Sequence, residues 1–251
     1  MTKPRKKILK ICLIVIILIL LCFAVPLIYK LNIVLKQAKV YDEFGKGDNY
    51  KFICESVSDE NGFQTTSKST TFQKDGKIKL ILESNDSDGL STYNCEYWIG
   101  KEVFFVDEIN KEFSISENNF SKAFLEARSG RSLFIYNFTQ TETWLEALSY
   151  IPLIIPNKIV FEEYEGKDCY KCIYNKKYDE VTDEFIIYID KGSSLPVFEV
   201  HTYYDAGEEI SKRVQKFSYE KDIITDADVN MPDLSEYKQE ISYFYKEEDS
   251  L

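Results

Sequence analysis

From residue 50 onward, apolar and polar side chains trade places with a period of two, and this rhythm constrains the chain more than any other feature. Tyr50, Phe52 and Cys54 fall on one parity of "YKFICESV", Ile78, Leu80 and Leu82 on one parity of "KIKLILES", and Tyr93, Cys95, Tyr97 and Ile99 on one parity of "STYNCEYWIG". Successive side chains of a strand point to opposite faces, so each segment reads as a β-strand with one apolar face. Lys74-Asp75-Gly76-Lys77 between two such segments is a tight-hairpin signal, because Asp-Gly accepts the positive φ angles of a two-residue turn. Sequential strands joined by short turns pair antiparallel.

The first thirty residues obey a different rule. Lys3, Arg5, Lys6, Lys7 and Lys10 precede the uncharged run "ICLIVIILILLCFAVPLIY", residues 11–29, and no acidic residue occurs before Asp42. Nineteen helical residues rise about 28 Å, close to the hydrocarbon thickness of a bilayer. The cations place a basic tail, residues 1–10, in the cytoplasm and the remainder outside, as a single-pass protein of the cell membrane. Cys22-Phe23-Ala24 is a weak match to a small-residue cleavage site, and Leu21 before Cys22 departs from a lipoprotein signal. An uncleaved transmembrane signal anchor over 11–29 is the favoured reading. Residues 30–45 keep helical spacing at Leu31, Ile33, Val34, Leu35 and Ala38, as a juxtamembrane helix that either forms a stalk or packs on the domain.

Residues 46–251 read as one extracytoplasmic domain. Helical spacing interrupts the strands twice midway, at Phe120, Phe124 and Leu125 and at Trp144, Leu145 and Leu148. Strands resume from residue 157, punctuated by Gly166, Gly192 and Gly207, and the chain closes with Pro232 and a peripheral C-terminal tail. The expected fold is mainly β (α+β): a curved antiparallel sheet, a half-barrel wrapped on short inserted helices and preceded by the N-terminal transmembrane helix.

Chemistry-bearing motifs are few. Beyond the five leading cations, 26 basic residues face 42 acidic ones, a balance of −16 that suits neither nucleic acid nor an anionic surface through bulk attraction. Cys169-x-x-Cys172 lacks the further ligands of a zinc site, since His201 is the one histidine, and no metal or cofactor is implied. Three residues apart on a strand, Cys169 and Cys172 point to opposite faces, so a direct bridge between them is awkward. Buried thiols are expected for at least two of Cys54, Cys95, Cys169 and Cys172. His201 sits mid-strand with no nucleophile elbow nearby, so no catalytic residue is assigned. The 18 Tyr and 17 Phe are the stronger signal, suited to sheet packing or to the lining of an apolar cavity.

The order of elements resembles the LolA-like fold of lipoprotein carriers, shared by RseB-type regulators. The similar features are a helix before the first strand, the "FQKDGKIKL" hairpin, the "YWIGKEVFFVD" pair, Asp190, Leu195 and Pro196 in a strand-joining turn, Asp205 and Gly207 in the next hairpin, and Pro232-Asp233 in the closing segment. The resemblance implies a concave apolar face that accommodates an acyl chain or a protein partner. The anchor is a departure, because a shuttle must diffuse. The implied function is that of a non-catalytic, membrane-anchored binding protein that holds a membrane lipid or lipoprotein acyl chain. The alternative is an RseB-like module that recognises another envelope protein. Candidates for the cavity lining are Leu80, Leu82, Tyr97, Phe105, Trp144, Leu148, Phe185 and Ile187.

Overall fold

A computed structural model describes residues 3–46, 49–117 and 155–240. One helix, α1 (Lys3–Lys46), carries the basic tail, the apolar run and the juxtamembrane segment without interruption, passing through Pro26. A proline in a helix interior removes one backbone hydrogen bond, a local defect that a helix of 44 residues tolerates.

Six strands then form a meander: β1 (Asn49–Glu60), β2 (Phe63–Lys74), β3 (Lys77–Asp86), β4 (Ser91–Ile99), β5 (Glu102–Asp107) and β6 (Glu112–Glu117). A second meander follows as β7 (Lys158–Tyr164), β8 (Lys167–Tyr178), β9 (Val181–Asp190), β10 (Pro196–Asp205) and β11 (Glu208–Lys221). The chain ends in α2 (Asp226–Val229), a 3-10 turn at Leu234–Glu236 and β12 (Lys238–Gln239). All twelve strands belong to one open, curved sheet, ordered β12-β6-β5-β4-β3-β2-β1-β11-β10-β9-β8-β7. The two meanders are stitched by the long antiparallel pairing of β1 with β11, from Tyr50↔Lys221 to Glu60↔Ser211. One pairing departs from the antiparallel expectation: β12 lies parallel to β6.

The hairpins form where the turn chemistry allows. Asp75-Gly76 adopts φ of 49° and 75°, and Asn61-Gly62 adopts 54° and 84°. Both central residues lie in the left-handed region, whose twist matches that of the flanking strands. The turn from β9 to β10 is held by Asp190, whose carboxylate accepts from the Gly192 and Ser193 amides and from Ser193 Oγ at 2.6–3.1 Å.

Cross-strand register assigns every side chain to one of two faces. The helix face holds two buried clusters. Ile33 of α1 packs with Cys172, Tyr174, Phe185, Ile187 and Ile189. Ala38 packs with Tyr50, Phe52, Cys54, Leu195 and Phe217. The stretch of α1 from Ile33 to Ala38 is therefore docked on the sheet and is not a free stalk.

The outer face is also apolar in two places. Cys95, Tyr97 and Val106 lie beneath Met231, Leu234 and Tyr237, and Cys169, Tyr188 and Val197 pack with Tyr164 and Phe198. A sheet with a single apolar face was expected. The closing segment, read as a peripheral tail, supplies the cover that makes a second one possible. The two helices expected midway, with Trp144 and Leu148, lie outside the described residues.

Candidate functional site

The helix face between α1 and strands β8 to β11 carries the unusual chemistry of this molecule. Register lays out one row across it as Gln215, Glu199, Ile187, Cys172 and Ile159. The neighbouring row runs Arg213, His201, Phe185 and Tyr174. Each row changes from polar to apolar midway, so the face presents a charged strip beside an apolar floor. α1 crosses this ground with Ile33, Val34, Gln37 and Ala38 buried. That set is the stripe a helix turns toward a core, except that one member is an amide.

Gln37 is 1% exposed, and neither its Oε1 nor its Nε2 has a hydrogen-bond partner among the described residues. A buried polar group left unmade costs about 1–3 kcal/mol. Glu199 is 5% exposed. Burial pushes its carboxyl up to about 7, opposed by the charge of Arg213 across the β10–β11 pair. Near neutrality this group therefore exchanges a proton inside an apolar layer.

Neighbouring groups follow the same physics. Burial, with the Glu199 charge adding to it, holds the Cys54 thiol up at about 11, although Gln215 Nε2 donates to its sulfur at 3.4 Å. Burial raises Cys172 to about 12 against the pull of Lys30. Both therefore stay thiols at neutral pH and are poor nucleophiles. The Tyr174 hydroxyl is held far above its usual range, by burial first. Burial lowers Lys176, and the Asp183 charge opposes that shift. His201 Nε2 contacts Asp183 Oδ1, and its ring stacks on Phe185 at 3.8 Å between centroids.

The structure separates the cavity candidates read from the sequence. Phe185 and Ile187 sit on the floor under α1. Leu80, Leu82 and Phe105 face the same side, since Leu80 opposes Glu96, Glu96 opposes Phe105 and Leu82 opposes Asn94. Five strand spacings, about 24 Å along the sheet, lie between Leu80 and Phe185. Tyr97 points the other way, because its neighbour Glu96 holds the Leu80 side. It lies 1% exposed in the outer-face cluster, with its hydroxyl 3.4 Å from Glu108 Oε1. No single cavity can take all of these side chains.

Gln37 and Glu199 were missed in the sequence, although a signal was present. Gln37 interrupts an i, i+1, i+4, i+5 apolar stripe, and Glu199 interrupts the run "PVFEV". Cys54, Cys95, Cys169 and Cys172 are buried free thiols. Cys169 and Cys172 belong to clusters on opposite faces, as their spacing implied. A depression of about 530 Å³ lies on the outer face among Glu55, Val57, Lys68, Glu83, Val214 and Lys216, and its lining mixes apolar and charged side chains. No group of three or more His, Cys, Asp or Glu among the described residues is placed to hold a metal.

No family model matches the chain, and no curated protein matches it. Among solved structures, the chain is similar to the MucA/MucB complex of Pseudomonas aeruginosa at 10% identity and a TM-score of 0.39, over 79% of this chain and 62% of that one. It is also similar to a DUF1329 family protein from Desulfovibrio piger at 13% identity and a TM-score of 0.27, over 78% of this chain and 95% of that one. A third similar structure is a putative outer membrane lipoprotein-sorting protein domain from Vibrio parahaemolyticus, at 11% identity and a TM-score of 0.24, over 78% and 95% of the two chains. The chain spans less than two thirds of the length of the MucB complex chain that it matches.

Proposed function

We propose that this protein is a non-catalytic binding protein, anchored in the cell membrane by residues 11–29, which holds an acyl chain against the helix face of its sheet. The observation that carries the reading is the buried Gln37 amide, which has no partner among the described residues. A helix meant only to close a core is most stable with an apolar side chain at that position. An amide there weakens the seal between α1 and a floor of Ile187, Cys172 and Phe185, and leaves that floor open to competition from another apolar occupant.

Three features support the anchor. A helix long and apolar enough to cross a bilayer precedes the sheet, its side chains from Leu13 to Ile19 are exposed, and five cations stand at its start. By the positive-inside rule the sheet is extracytoplasmic. Catalysis finds no support in the best candidate, since the His201 ring that contacts Asp183 is stacked on Phe185 and burial holds the Cys54 and Cys172 thiols high.

The test is binding of a fluorescent fatty acid to fragment 30–251, which keeps the docked half of α1 and lacks the apolar run. Saturable binding at micromolar protein is expected, weakened by Gln37→Leu, which seals α1 to the floor. Absence of saturable binding overturns the reading. A second reading follows from α1 itself, because a face that accepts one helix can accept a partner's helix in its place. It is favoured if the fragment ignores lipid but recovers an envelope protein from membrane extracts.

A further inference from the structure

We infer that strand β7 is a membrane-contacting edge that lies in the outer headgroup layer, with Phe161 as its apolar anchor. The inference rests on the reading that residues 11–29 span a bilayer. It follows from how closely α1 ties the sheet to the end of that run.

Nineteen apolar residues are just enough to cross the hydrocarbon, so Tyr29 stands at its outer boundary. Lys30, the next residue, donates from Nζ to the carbonyls of Pro156 and Asn157 at 2.9 and 2.6 Å, immediately before β7. Ile33 is already buried against β8 and β9. The rise from Tyr29 to Ile33 is about 6 Å, comparable with the headgroup layer on one side of a bilayer. No stalk intervenes, and the sheet begins where the hydrocarbon ends.

The direction of crossing selects the strand. Ala38 of α1 sits over β1 and β11, Ile33 over β8 and β9, and Lys30 beside the lead into β7. Followed back toward the apolar run, the helix leaves the sheet over the β7 side. β7 is the terminal strand of the sheet on that side, so it runs along the membrane surface.

Its side chains suit that place. Phe161 is 61% exposed although it is an aromatic on a strand. Its ring lies 5.5 Å from that of Tyr170, and Lys191 Nζ stands 4.5 Å above the Phe161 ring and 5.6 Å above Tyr170. Aromatic rings with an ammonium beside them match an interface whose interior is apolar and whose phosphates are anionic. Of the acids on this strand, Glu162 is paired to Lys171 at 3.0 Å, and Glu163 stands opposite Asp168 on β8. The partner is therefore the lipid of the membrane that α1 crosses.

Photocrosslinking of the full chain in phosphatidylethanolamine/phosphatidylglycerol vesicles tests the inference. p-Benzoylphenylalanine replaces Phe161, or Ile109 as a control, or Ile17 within the apolar run. Ile109 is 79% exposed and lies in the β5–β6 turn, nine to ten strand spacings or about 45 Å along the sheet from β7. Position 161 is expected to form lipid adducts several-fold above position 109, while position 17 labels acyl chains. Lipid adducts at 161 no more frequent than at 109, with position 17 labelled, overturn the edge contact and leave the anchor standing. A cross-linked dimer through position 161 also overturns it, in favour of a second copy. Absence of lipid adducts at position 17 overturns the spanning reading and this inference with it.

Discussion

The two lids of the sheet are built to different standards. On the outer face the closing segment is held by a series of hydrogen bonds: Asp233 accepts from the Ser235 amide, Asp228 Oδ2 accepts from the Thr225 amide and hydroxyl, and β12 pairs with β6. Lys111 Nζ reaches the Tyr237 hydroxyl at 3.1 Å and stands 4.6 Å over its ring. Its apolar contacts, Met231, Leu234 and Tyr237, meet Tyr97 and Val106. On the helix face α1 brings a comparable apolar stripe, but it also buries Gln37, without a partner among the described residues, over the sheet that carries Glu199. Satisfied polar groups mark a permanent closure, whereas an unsatisfied one weakens the seal it sits in.

The comparison can be broken by experiment. The largest effect is expected at Phe52, which is 1% exposed on the helix face, with ring centroids 6.1 Å from Phe217 and 5.0 Å from Tyr219. Phe52→Ala should cost about 3–5 kcal/mol in urea unfolding. A loss below about 1 kcal/mol would mean that this face contributes little to the core.

Glu199 comes next. Its folded pKa of about 7 lies above the ordinary 4.5, so the folded state holds the proton more tightly than the unfolded chain. Stability should therefore fall as pH rises from about 4.5 to about 7, by roughly 3 kcal/mol at most. Glu199→Gln should flatten that slope in thermal melts across this window. An unchanged slope would show that the carboxyl is solvated when folded.

A smaller change of opposite sign is expected at Gln37. Gln37→Leu should stabilise by about 1–2 kcal/mol, since it removes an unpaired buried amide and adds apolar contact. Destabilisation would mean that the amide has a partner in solution and that the two lids are alike. The smallest effect is expected at the outer lid, where Tyr237→Phe loses only the exposed bond from Lys111. The expected cost is about 0.5–1 kcal/mol by chemical denaturation.

Much of the architecture was legible because it depends on local rules. Alternation marked the strands, and Asp75-Gly76 marked its hairpin because both residues accept positive φ. The site was less legible. Tyr97 and Leu80 each belong to an evident apolar parity, but only register shows that Tyr97 faces away, since its neighbour Glu96 is the residue that opposes Leu80. The parallel pairing of β12 joins residues more than a hundred positions apart, beyond the reach of any local pattern.

Side-chain period, turn stereochemistry and the length of the apolar run act over a few residues, so sequence alone determined that this chain makes long antiparallel strands behind one long apolar helix. Which face each parity joins, what covers it, and that an amide and a carboxyl end up buried on the helix side depend on pairings between distant segments. Only the tertiary structure decided those, because burial is a property of the neighbours that a residue acquires on folding.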